Sequence, residues 1–322
     1  MKKKIILTRR WTKEVEQVLS QQYDCEINTS DVPFTADQLR DALQRADALL
    51  TTVTDRVDAP VLTVENPRAS VIANFGVGYS HIDIDAAKAR NIMVTNTPDV
   101  LSDCTADVAM TLLLMVARRA GEGERELRAG DWSGWRPTHM MGSKVSGKTL
   151  GIIGFGRIGQ VMARRAHGGF DMKIRVYNRS AVAPQLLSAC HAVQVSSIED
   201  LLGESDFVSL HCPGGAENTH LINAERLAAM KPTAYLINTA RGEVVDEETL
   251  IAALQQKKIA GAGLDVFQNE PEINPLFTTL NNAVLLPHLG SATVETRDAM
   301  GFRVAANLEQ FFAGSEPADR VV

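Results

Sequence analysis

The sequence predicts two α/β domains, each built on a doubly wound parallel sheet. The chain has 322 residues, 45% of them hydrophobic and 22% charged, which suits two such domains better than one small module. Short apolar runs alternate with amphipathic segments, a pattern typical of strands and helices around a parallel sheet. The turn residues Asn96–Asp99 interrupt this alternation and indicate a domain boundary near Pro98.

The first series of apolar and amphipathic segments predicts four strands and three helices. Thr12, Thr35 and either Asp83 or Asp85 stand where helix N-caps are expected. The predicted strands are Ile5–Leu7, Ala48–Leu50, Val71–Ala73 and Met93–Thr95, and the predicted helices are Lys13–Gln22, Ala36–Arg45 and Asp85–Arg90.

The second series begins after a long helix that runs from Ser102 to about Arg118. A last helical pattern covers Val294–Phe312, and its periodicity does not show which domain it packs against. The predicted strands of this series start at Thr149 and continue through Ile174–Tyr177, Phe207–Leu210, Ala234–Asn238, Ile259–Leu264 and Val284–Leu286.

Composition and charge exclude several classes of function. The formal charge is −6 and no basic stripe is interleaved with aromatic residues, which argues against nucleic acid as a partner. The longest apolar stretch, Val108–Ala117, is too short to cross a bilayer, and the amino-terminal apolar run is too short for an export signal. The cysteines are scattered and form no metal-ligand pattern, so we expect a cytoplasmic protein without a metal: Cys25, Cys104, Cys190 and Cys212.

A glycine-rich motif follows the first strand of the second domain. Gly154, Gly156 and Gly159 form a GxGxxG pattern between an apolar strand and a helix, which is the context that makes this motif informative. The helix start at Arg157 and Ile158 supplies free N–H groups and partial positive charge for a pyrophosphate. This segment predicts a dinucleotide site in a Rossmann-like domain.

The next strand ends in residues that indicate which dinucleotide binds. Where an NAD enzyme of this pattern offers Asp or Glu to the adenine ribose, the chain has Asn178, Arg179 and Ser180. The amide and hydroxyl can donate hydrogen bonds, and the guanidinium is suited to a 2′-phosphate. NADP(H) is therefore predicted to be preferred, with NAD(H) possible; alternatively, Arg179 is an ordinary surface residue.

Three ionisable side chains stand at the ends of late strands, where a doubly wound sheet binds its ligands: Arg241, Glu270 and His288. Hydride transfer to a 2-oxo acid needs a cation to bind the carboxylate and an acid to protonate the developing alkoxide. It also needs a group that sets the pKa of that acid. The hypothesis assigns these roles to Arg241, His288 and Glu270 in that order. Asp265 is expected to accept a hydrogen bond from the nicotinamide carboxamide.

These motifs resemble the D-isomer-specific 2-hydroxyacid dehydrogenases over nearly the whole chain. The resemblance implies that the loop Asn74–Asp83 binds substrate, with backbone N–H groups around Val77 and Gly78 meeting its carboxylate. It also implies that the final helix returns to the first domain, giving a substrate domain of 1–98 with 289–322 and a nucleotide domain of 99–288. Further residues are assigned by the same resemblance: Val53 and Gly76 to the substrate, and Thr105, His211, Cys212, Pro213, Thr239, Ala240 and Gly290 to the cofactor.

Within that family, the segment Asp131–Pro137 is similar to the glyoxylate/hydroxypyruvate reductases. That likeness implies a homodimer in which Trp135 reaches the partner's substrate pocket; alternatively, Trp135 is a plain aromatic of the dimer core. The residues Tyr79–His81 depart from the acidic or amide residues common in the substrate loop, so the substrate within the class stays open. Another dehydrogenase of the family, of phosphoglycerate or 2-ketogluconate type, and a dinucleotide-sensing corepressor are the competing hypotheses.

Overall fold

A computed structural model describes all residues, Met1–Val322. The chain divides into two compact units, which we call unit 1 (Met1–Leu101 with Ala292–Val322) and unit 2 (Ser102–Ser291). These limits lie three residues after the predicted ones at 98 and 288. Each unit contains one parallel sheet, of five strands in unit 1 and seven in unit 2, so the predicted α/β class is confirmed.

The sheet of unit 1 has the strand order β2-β1-β3-β4-β5, and every pair is parallel. Its central strands are buried, which explains why they read as continuous apolar runs. The edge strand β2 was missed because its sequence, DCEI, is half polar and half exposed. The strands are β1 (Lys4–Leu7), β2 (Asp24–Ile27), β3 (Ala48–Thr51), β4 (Val71–Asn74) and β5 (Met93–Thr95).

The helices of unit 1 follow the predicted pattern, except that the short helix Ala59–Leu62 was not predicted and one predicted cap is wrong. Thr35 forms a complete capping box and Asp83 caps its helix, but the Thr12 side chain makes no capping hydrogen bond. The carboxy-terminal helix lies against the first helix, since a side chain at Gly301 would overlap Val15. The helices are α1 (Lys13–Gln22), α2 (Ala36–Arg45), α3 (Ala59–Leu62), α4 (Ile84–Ala89) and α12 (Val294–Phe312).

The sheet of unit 2 has the order β12-β11-β10-β9-β6-β7-β8, again fully parallel. The strand order reverses beside β6, and ligands of such sheets bind at the carboxyl ends of the strands at this point. The strands are β6 (Thr149–Ile153), β7 (Lys173–Tyr177), β8 (Ala192–Gln194), β9 (Phe207–Leu210), β10 (Tyr235–Asn238), β11 (Gly261–Leu264) and β12 (Ala283–Leu285).

Helix α5 of unit 2 packs closely on the sheet because Gly263 leaves room for Leu112. The helices of this unit are α5 (Ser102–Ala117), α6 (Ala120–Ala129), α7 (Arg157–Phe170), α8 (Pro184–Ala189), α9 (Ile198–Glu204), α10 (Ala224–Ala229) and α11 (Glu247–Gln255). Three 3-10 turns cover Ala216–Asn218, Gly242–Val244 and Pro275–Thr279.

No helix of the protein is both long enough and apolar enough to span a bilayer. Nor do three or more His, Cys, Asp or Glu side chains converge as metal ligands would.

Candidate active site

The glycine-rich loop joins β6 to α7 by a turn that requires glycine. Gly154 has φ +92°, and a Cβ there would lie within 2.5–2.8 Å of the backbone of His211 and Cys212. A Cβ at Gly159 would press on the Gly154 carbonyl, so this glycine lets the helix approach the strand. By contrast, a Cβ on Gly156 would meet no atom within 4 Å. The loop thus presents open space in front of Gly156, directly at the start of α7.

The start of α7 is suited to an anion. Gly156 is its N-cap without a capping side chain, and the first turn contains no acidic residue. The N–H groups at the start of an α-helix have no acceptor within the helix, and here they include those of Ile158 and Gly159. They therefore offer hydrogen bonds and partial positive charge to a pyrophosphate.

Asn178 ties the end of β7 to this loop. Its carboxamide oxygen accepts from Phe155 N (3.2 Å), and its amide nitrogen donates to the carbonyl and hydroxyl of Ser180 (3.2 and 3.1 Å). Gln194 donates to the Ser180 carbonyl as well (3.1 Å), which fixes the turn after the strand. No carboxylate belongs to this strand end, as the sequence indicated.

Arg179 forms an ion pair that the sequence did not predict. Its Nη1 lies 2.5 Å from Glu217 Oε2, and both side chains are more than 60% exposed. The Glu217 hydrogen bond raises the pKa of the Arg179 guanidinium, and Arg179 lowers the pKa of the Glu217 carboxyl. Exposed pairs of this kind are worth about 0–1 kcal/mol, so Arg179 can exchange this partner for another anion at little cost.

Two polar atoms near the loop are buried without a protein partner: His211 Nδ1 and Thr239 Oγ1. The other ring nitrogen of His211 lies 2.9 Å from Ser209 Oγ, and burial lowers the pKa of this histidine to about 4. His211 is therefore neutral at pH 7. Because buried polar groups normally find partners, these two atoms are available to a polar ligand such as the predicted dinucleotide.

The loop after β10 holds Arg241 in place. The Asn238 side chain accepts from Ala240 N (3.0 Å) and donates to the Arg241 carbonyl (2.9 Å), so it shapes the turn Thr239–Arg241. Arg241 Nη1 donates to the Ala240 carbonyl (2.7 Å), but no carboxylate is paired with the guanidinium. Burial lowers the pKa of Arg241, against the opposing charges of Glu243 and Glu270. A half-buried cation without a counter-ion is a candidate for binding an anionic substrate.

His288 and Glu270, which the sequence predicts to act as a pair, are joined by a hydrogen bond. His288 Nδ1 lies 2.7 Å from Glu270 Oε2, and the second carboxylate oxygen accepts from Phe267 N (2.9 Å). Burial raises the pKa of Glu270, but the hydrogen bond and charge of His288 outweigh it, and the net pKa is lowered. Glu270 therefore stays ionised at neutral pH. The Nε2 atom of His288 has no protein partner and is left for a ligand.

Asp265 clamps the segment that carries His288. Its two carboxylate oxygens accept from Leu289 N (2.7 Å) and Gly290 N (2.8 Å), while its carbonyl accepts from His288 N (2.9 Å). Burial is the main cause that raises the pKa of the Asp265 carboxyl. Each oxygen retains a lone pair, so the predicted bond to a carboxamide is compatible with this clamp.

The remaining predicted cofactor residues of unit 2 lie near these loops. Thr105 is buried beside Gly290, and the Pro213 carbonyl accepts from Asn218 (3.0 Å). Cys212 follows His211, and burial raises the pKa of its thiol to about 11, so the thiol is neutral. Trp135 is 82% exposed in a segment without regular structure.

The predicted substrate loop of unit 1 follows β4. Val77 and Gly78 are half-buried, and Gly76 is packed close to Val53. An open cavity of about 510 Å³ lies beside the loop and is lined by Val53, Thr54, Arg56, Asp58, Ser80, His81, Ile82 and Asp83.

Sequence reasoning missed the residues that support the site rather than form it. Ser209, Asn238 and Glu217 were not singled out, although each bonds a predicted site residue. Asn238 could most easily have been predicted from the sequence. A polar residue that ends a buried strand directly before a predicted site loop indicates a supporting role in that loop. Ser209 bonds His211 only two residues further along the chain, whereas Glu217 reaches Arg179 through a contact that only the folded chain brings about.

Comparison with known proteins identifies the family. Residues 110–290 match the family model described as D-isomer specific 2-hydroxyacid dehydrogenase, NAD binding domain. A glyoxylate reductase of Thermococcus litoralis is 46% identical, with 100% of this chain and 97% of the relative covered.

Solved structures share the whole architecture. A Polaromonas protein described as a D-isomer specific 2-hydroxyacid dehydrogenase superposes with a TM-score of 0.93 at 38% identity, covering 100% of both chains. An NADPH-dependent glyoxylate/hydroxypyruvate reductase from Sinorhizobium meliloti, solved with NADP and malonate, gives 0.89 at 32% identity, covering 100% of this chain and 97% of that one. The chain belongs to the D-isomer specific 2-hydroxyacid dehydrogenase family and is an NAD(P)-dependent dehydrogenase similar to the glyoxylate reductases.

Proposed function

We propose that this protein reduces small 2-oxo acids to 2-hydroxy acids, glyoxylate to glycolate and hydroxypyruvate to D-glycerate, and that it prefers NADPH to NADH. The observation that carries the proposal is the 2.7 Å bond between His288 Nδ1 and Glu270, which leaves Nε2 free as a proton donor. In this proposal unit 1 is the substrate domain and unit 2 is the nucleotide domain. The names of the similar glyoxylate reductases support the choice of substrate.

His288 acts as the general acid. When bound, the reduced nicotinamide supplies a hydride to the carbonyl carbon of the substrate. His288 gives the proton on Nε2 to the carbonyl oxygen, while Glu270 accepts from Nδ1 and so fixes both the ring and its tautomer. The lowered pKa of Glu270 keeps that acceptor ionised throughout.

Arg241 binds the anionic substrate. Its half-buried guanidinium lacks a carboxylate partner, so it can meet the substrate carboxylate and polarise the carbonyl. In unit 1, the N–H groups of Val77 and Gly78 are available to donate to a substrate carboxylate. Val53 and Gly76 line the substrate next to them.

The NADPH preference rests on the end of β7. Asn178 and Ser180 can donate to a 2′-phosphate, and Arg179 can leave the exposed Glu217 for it. A carboxylate at this position would repel the phosphate by roughly 1–4 kcal/mol. The NADP-bound relative from Sinorhizobium supports the same cofactor.

A homodimer is the proposed assembly, with Trp135 at the interface. Trp135 and Trp132 are 82% and 52% exposed, and helix α6 next to them buries no residue. Exposed tryptophans of this kind are typical of an interface. Light scattering should give twice the mass of the chain, and Trp135→Ala should raise the KM for glyoxylate if the tryptophan serves the partner's pocket.

Turnover measurements test the proposal. NADPH oxidation is followed with glyoxylate and hydroxypyruvate, and repeated with NADH. We expect His288→Ala and Arg241→Ala each to lower turnover by about 10²- to 10⁴-fold while NADPH binding stays nearly intact. His191→Asn is the matched control, because His191 is an exposed histidine of the same unit that contributes to none of these loops.

Each failure has a separate meaning. Normal turnover in His288→Ala would remove this histidine as the acid. NADPH binding without turnover of any 2-oxo acid in the unaltered protein would favour a dinucleotide-sensing protein instead. Faster turnover of a phosphorylated or longer 2-oxo acid would move the protein to another branch of the family.

A further inference from the structure

The substrate loop of unit 1 presents three consecutive N–H groups without a protein acceptor. These belong to Val77, Gly78 and Tyr79, and none donates to a backbone or side-chain acceptor. Successive free N–H groups of this kind make an anion-binding concavity. The loop must therefore be held in a conformation that keeps these three N–H groups away from protein acceptors.

The carbonyl groups of the same peptides are all held by hydrogen bonds. Asn74 Nδ2 donates to the carbonyls of Gly76 (3.1 Å) and Gly78 (3.0 Å). Asn96 Nδ2 donates to the carbonyl between them, that of Val77 (2.8 Å). Two side-chain amides therefore bond three successive carbonyls, and the backbone N–H of Thr97 also donates to the Gly76 carbonyl (3.0 Å).

Peptide geometry turns this arrangement into a donor site. In a trans peptide the C=O of one residue and the N–H of the next point in opposite directions. Holding the Gly76, Val77 and Gly78 carbonyls therefore directs the N–H groups of Val77, Gly78 and Tyr79 away from the two asparagines. A rotation of any of these peptides would break a bond to Asn74 or Asn96.

The orientation of the Asn74 amide is fixed by its surroundings. Both of its carbonyl partners accept only, so Nδ2 must face them and Oδ1 must face the other side. There His81 Nε2 lies 3.0 Å from Oδ1, and Asn74 is fully buried. The histidine therefore donates through Nε2 in this arrangement and keeps the amide from flipping.

Asn96 is anchored by the carboxy-terminal segment. Its N–H donates to the Asp319 carbonyl (3.2 Å), and its carbonyl accepts from Asn307 Nδ2 (3.2 Å). Arg303 in turn holds the Asp319 carboxylate by two bonds of 2.7 Å. The position of Asn96 thus depends on α12 and the residues after it.

We propose that Asn74 and Asn96 are positioning residues for the substrate carboxylate: their amides hold the carbonyls of Gly76, Val77 and Gly78, so that the opposite N–H groups receive the anion. The proposal rests on the assignment of this loop to the carboxylate under the proposed function. It adds which side chains preorganise the loop. Neither asparagine touches the substrate in this account.

The test replaces the donating NH₂ group by oxygen without changing side-chain shape. Asn74→Asp and Asn96→Asp would set a carboxylate against backbone carbonyls, so the loop should turn. We expect the KM for glyoxylate and the Kd for oxalate, measured with NADPH saturating, to rise about tenfold or more in each variant. The Kd for NADPH and the KM for neutral glyoxylamide should change less than about twofold, because neither reports the carboxylate.

Asn28→Asp is the matched control. Asn28 is also an amide of unit 1 whose Nδ2 donates to two carbonyls, those of Thr8 (2.8 Å) and Val32 (2.7 Å), but it does not contact the loop. This variant should keep the unaltered KM and Kd values. If buried Asn74→Asp fails to fold, the half-buried Asn96→Asp decides the question.

Two results would overturn the proposal. One is unchanged oxalate affinity in folded Asn74→Asp and Asn96→Asp. The other is an equal loss for glyoxylate and glyoxylamide, which would mean that the fold alone was loosened. Absence of turnover in the unaltered protein would instead contradict the proposed function, and oxalate binding would still decide the role of the two asparagines.

Discussion

The two glycine loops of this protein prepare for anions by different means. Both follow a central parallel strand, β4 in unit 1 and β6 in unit 2. In unit 2, helix α7 starts at Arg157, directly after the glycines, and its first turn supplies the N–H groups. In unit 1 the next helix, α4, begins only at Ile84 and is capped by Asp83, so the loop has no helix start of its own to use.

The difference lies in which part of the chain orients the peptides. The unit 2 loop is set by its own backbone, through the positive φ of Gly154 and the helix that follows. The unit 1 loop is set by Asn74 and Asn96, side chains from the ends of two strands. Substitutions that change the backbone conformation should therefore damage the unit 2 loop. Substitutions that remove side-chain donors should damage the unit 1 loop.

Gly154→Ala should give the largest effect on the unit 2 loop. An added Cβ meets the backbone of His211 and Cys212 at 2.5–2.8 Å, and φ is +92°, so the loop must shift. We expect the Kd for NADPH to rise at least about 100-fold and the melting temperature to fall. Fluorescence titration and thermal unfolding measure the two quantities.

Gly156→Ala separates binding from stability at the same loop. Its Cβ would meet nothing within 4 Å, so the melting temperature should hold while NADPH affinity falls, because the methyl group occupies the space in front of the helix start. Equal NADPH affinity in Gly156→Ala and the unaltered protein would show that the pyrophosphate lies elsewhere.

Asn178→Asp combined with Arg179→Ile should shift the cofactor preference next. The new carboxylate keeps the acceptor for Phe155 N but repels a 2′-phosphate, and the guanidinium is lost. The ratio of kcat/KM for NADPH to that for NADH should drop by about tenfold or more. Glu217→Gln is the variant to compare with it. This change removes the ion pair of Arg179 and should raise the same ratio by at most a few-fold. A constant ratio in the double variant would place phosphate recognition on other residues.

His211 should make the stability of unit 2 sensitive to acid. Burial lowers the pKa of His211 from 6.5 to about 4. Below pH 6.5 the imidazole is therefore protonated in the unfolded chain but stays neutral in the folded chain. The stabilisation is complete above pH 6.5 and declines as the pH falls toward 4. Urea unfolding at pH 7.5 and 5 should show that His211→Asn loses about 1–2 kcal/mol less than the unaltered protein. Parallel losses in both proteins would mean that this ring is protonated in the fold.

Gly168→Ala should have the smallest effect on stability, and it tests whether a glycine far from the loop affects NADPH binding. Gly168 lies inside α7 with no atom within 4 Å of an added Cβ, far along the helix from the loop. Alanine should stabilise the protein by about 0.5–1 kcal/mol and leave NADPH affinity unchanged. Weaker NADPH binding would show that the whole helix, and not its first turn, governs the loop.

Much of the fold could be predicted because it depends on local pattern. The helices Lys13–Gln22, Ala36–Arg45 and Val294–Phe312 were predicted with their observed limits, since their apolar spacing and polar neighbours are contiguous. The edge strands β2 and β8 were missed. Edge strands are half exposed, and their sequences therefore lack the apolar run that identifies a buried strand.

The sequence by itself determined the class of fold, the glycine-rich turn and the identity of the three ionisable candidates. Each is encoded in neighbouring residues, where a strand, a turn and a helix follow one another along the chain. The tertiary structure alone decided that Arg179 pairs with Glu217 and that Asn96 holds the Val77 carbonyl. These contacts join segments far apart in sequence, so they depend on strand order and packing, and no local pattern encodes them.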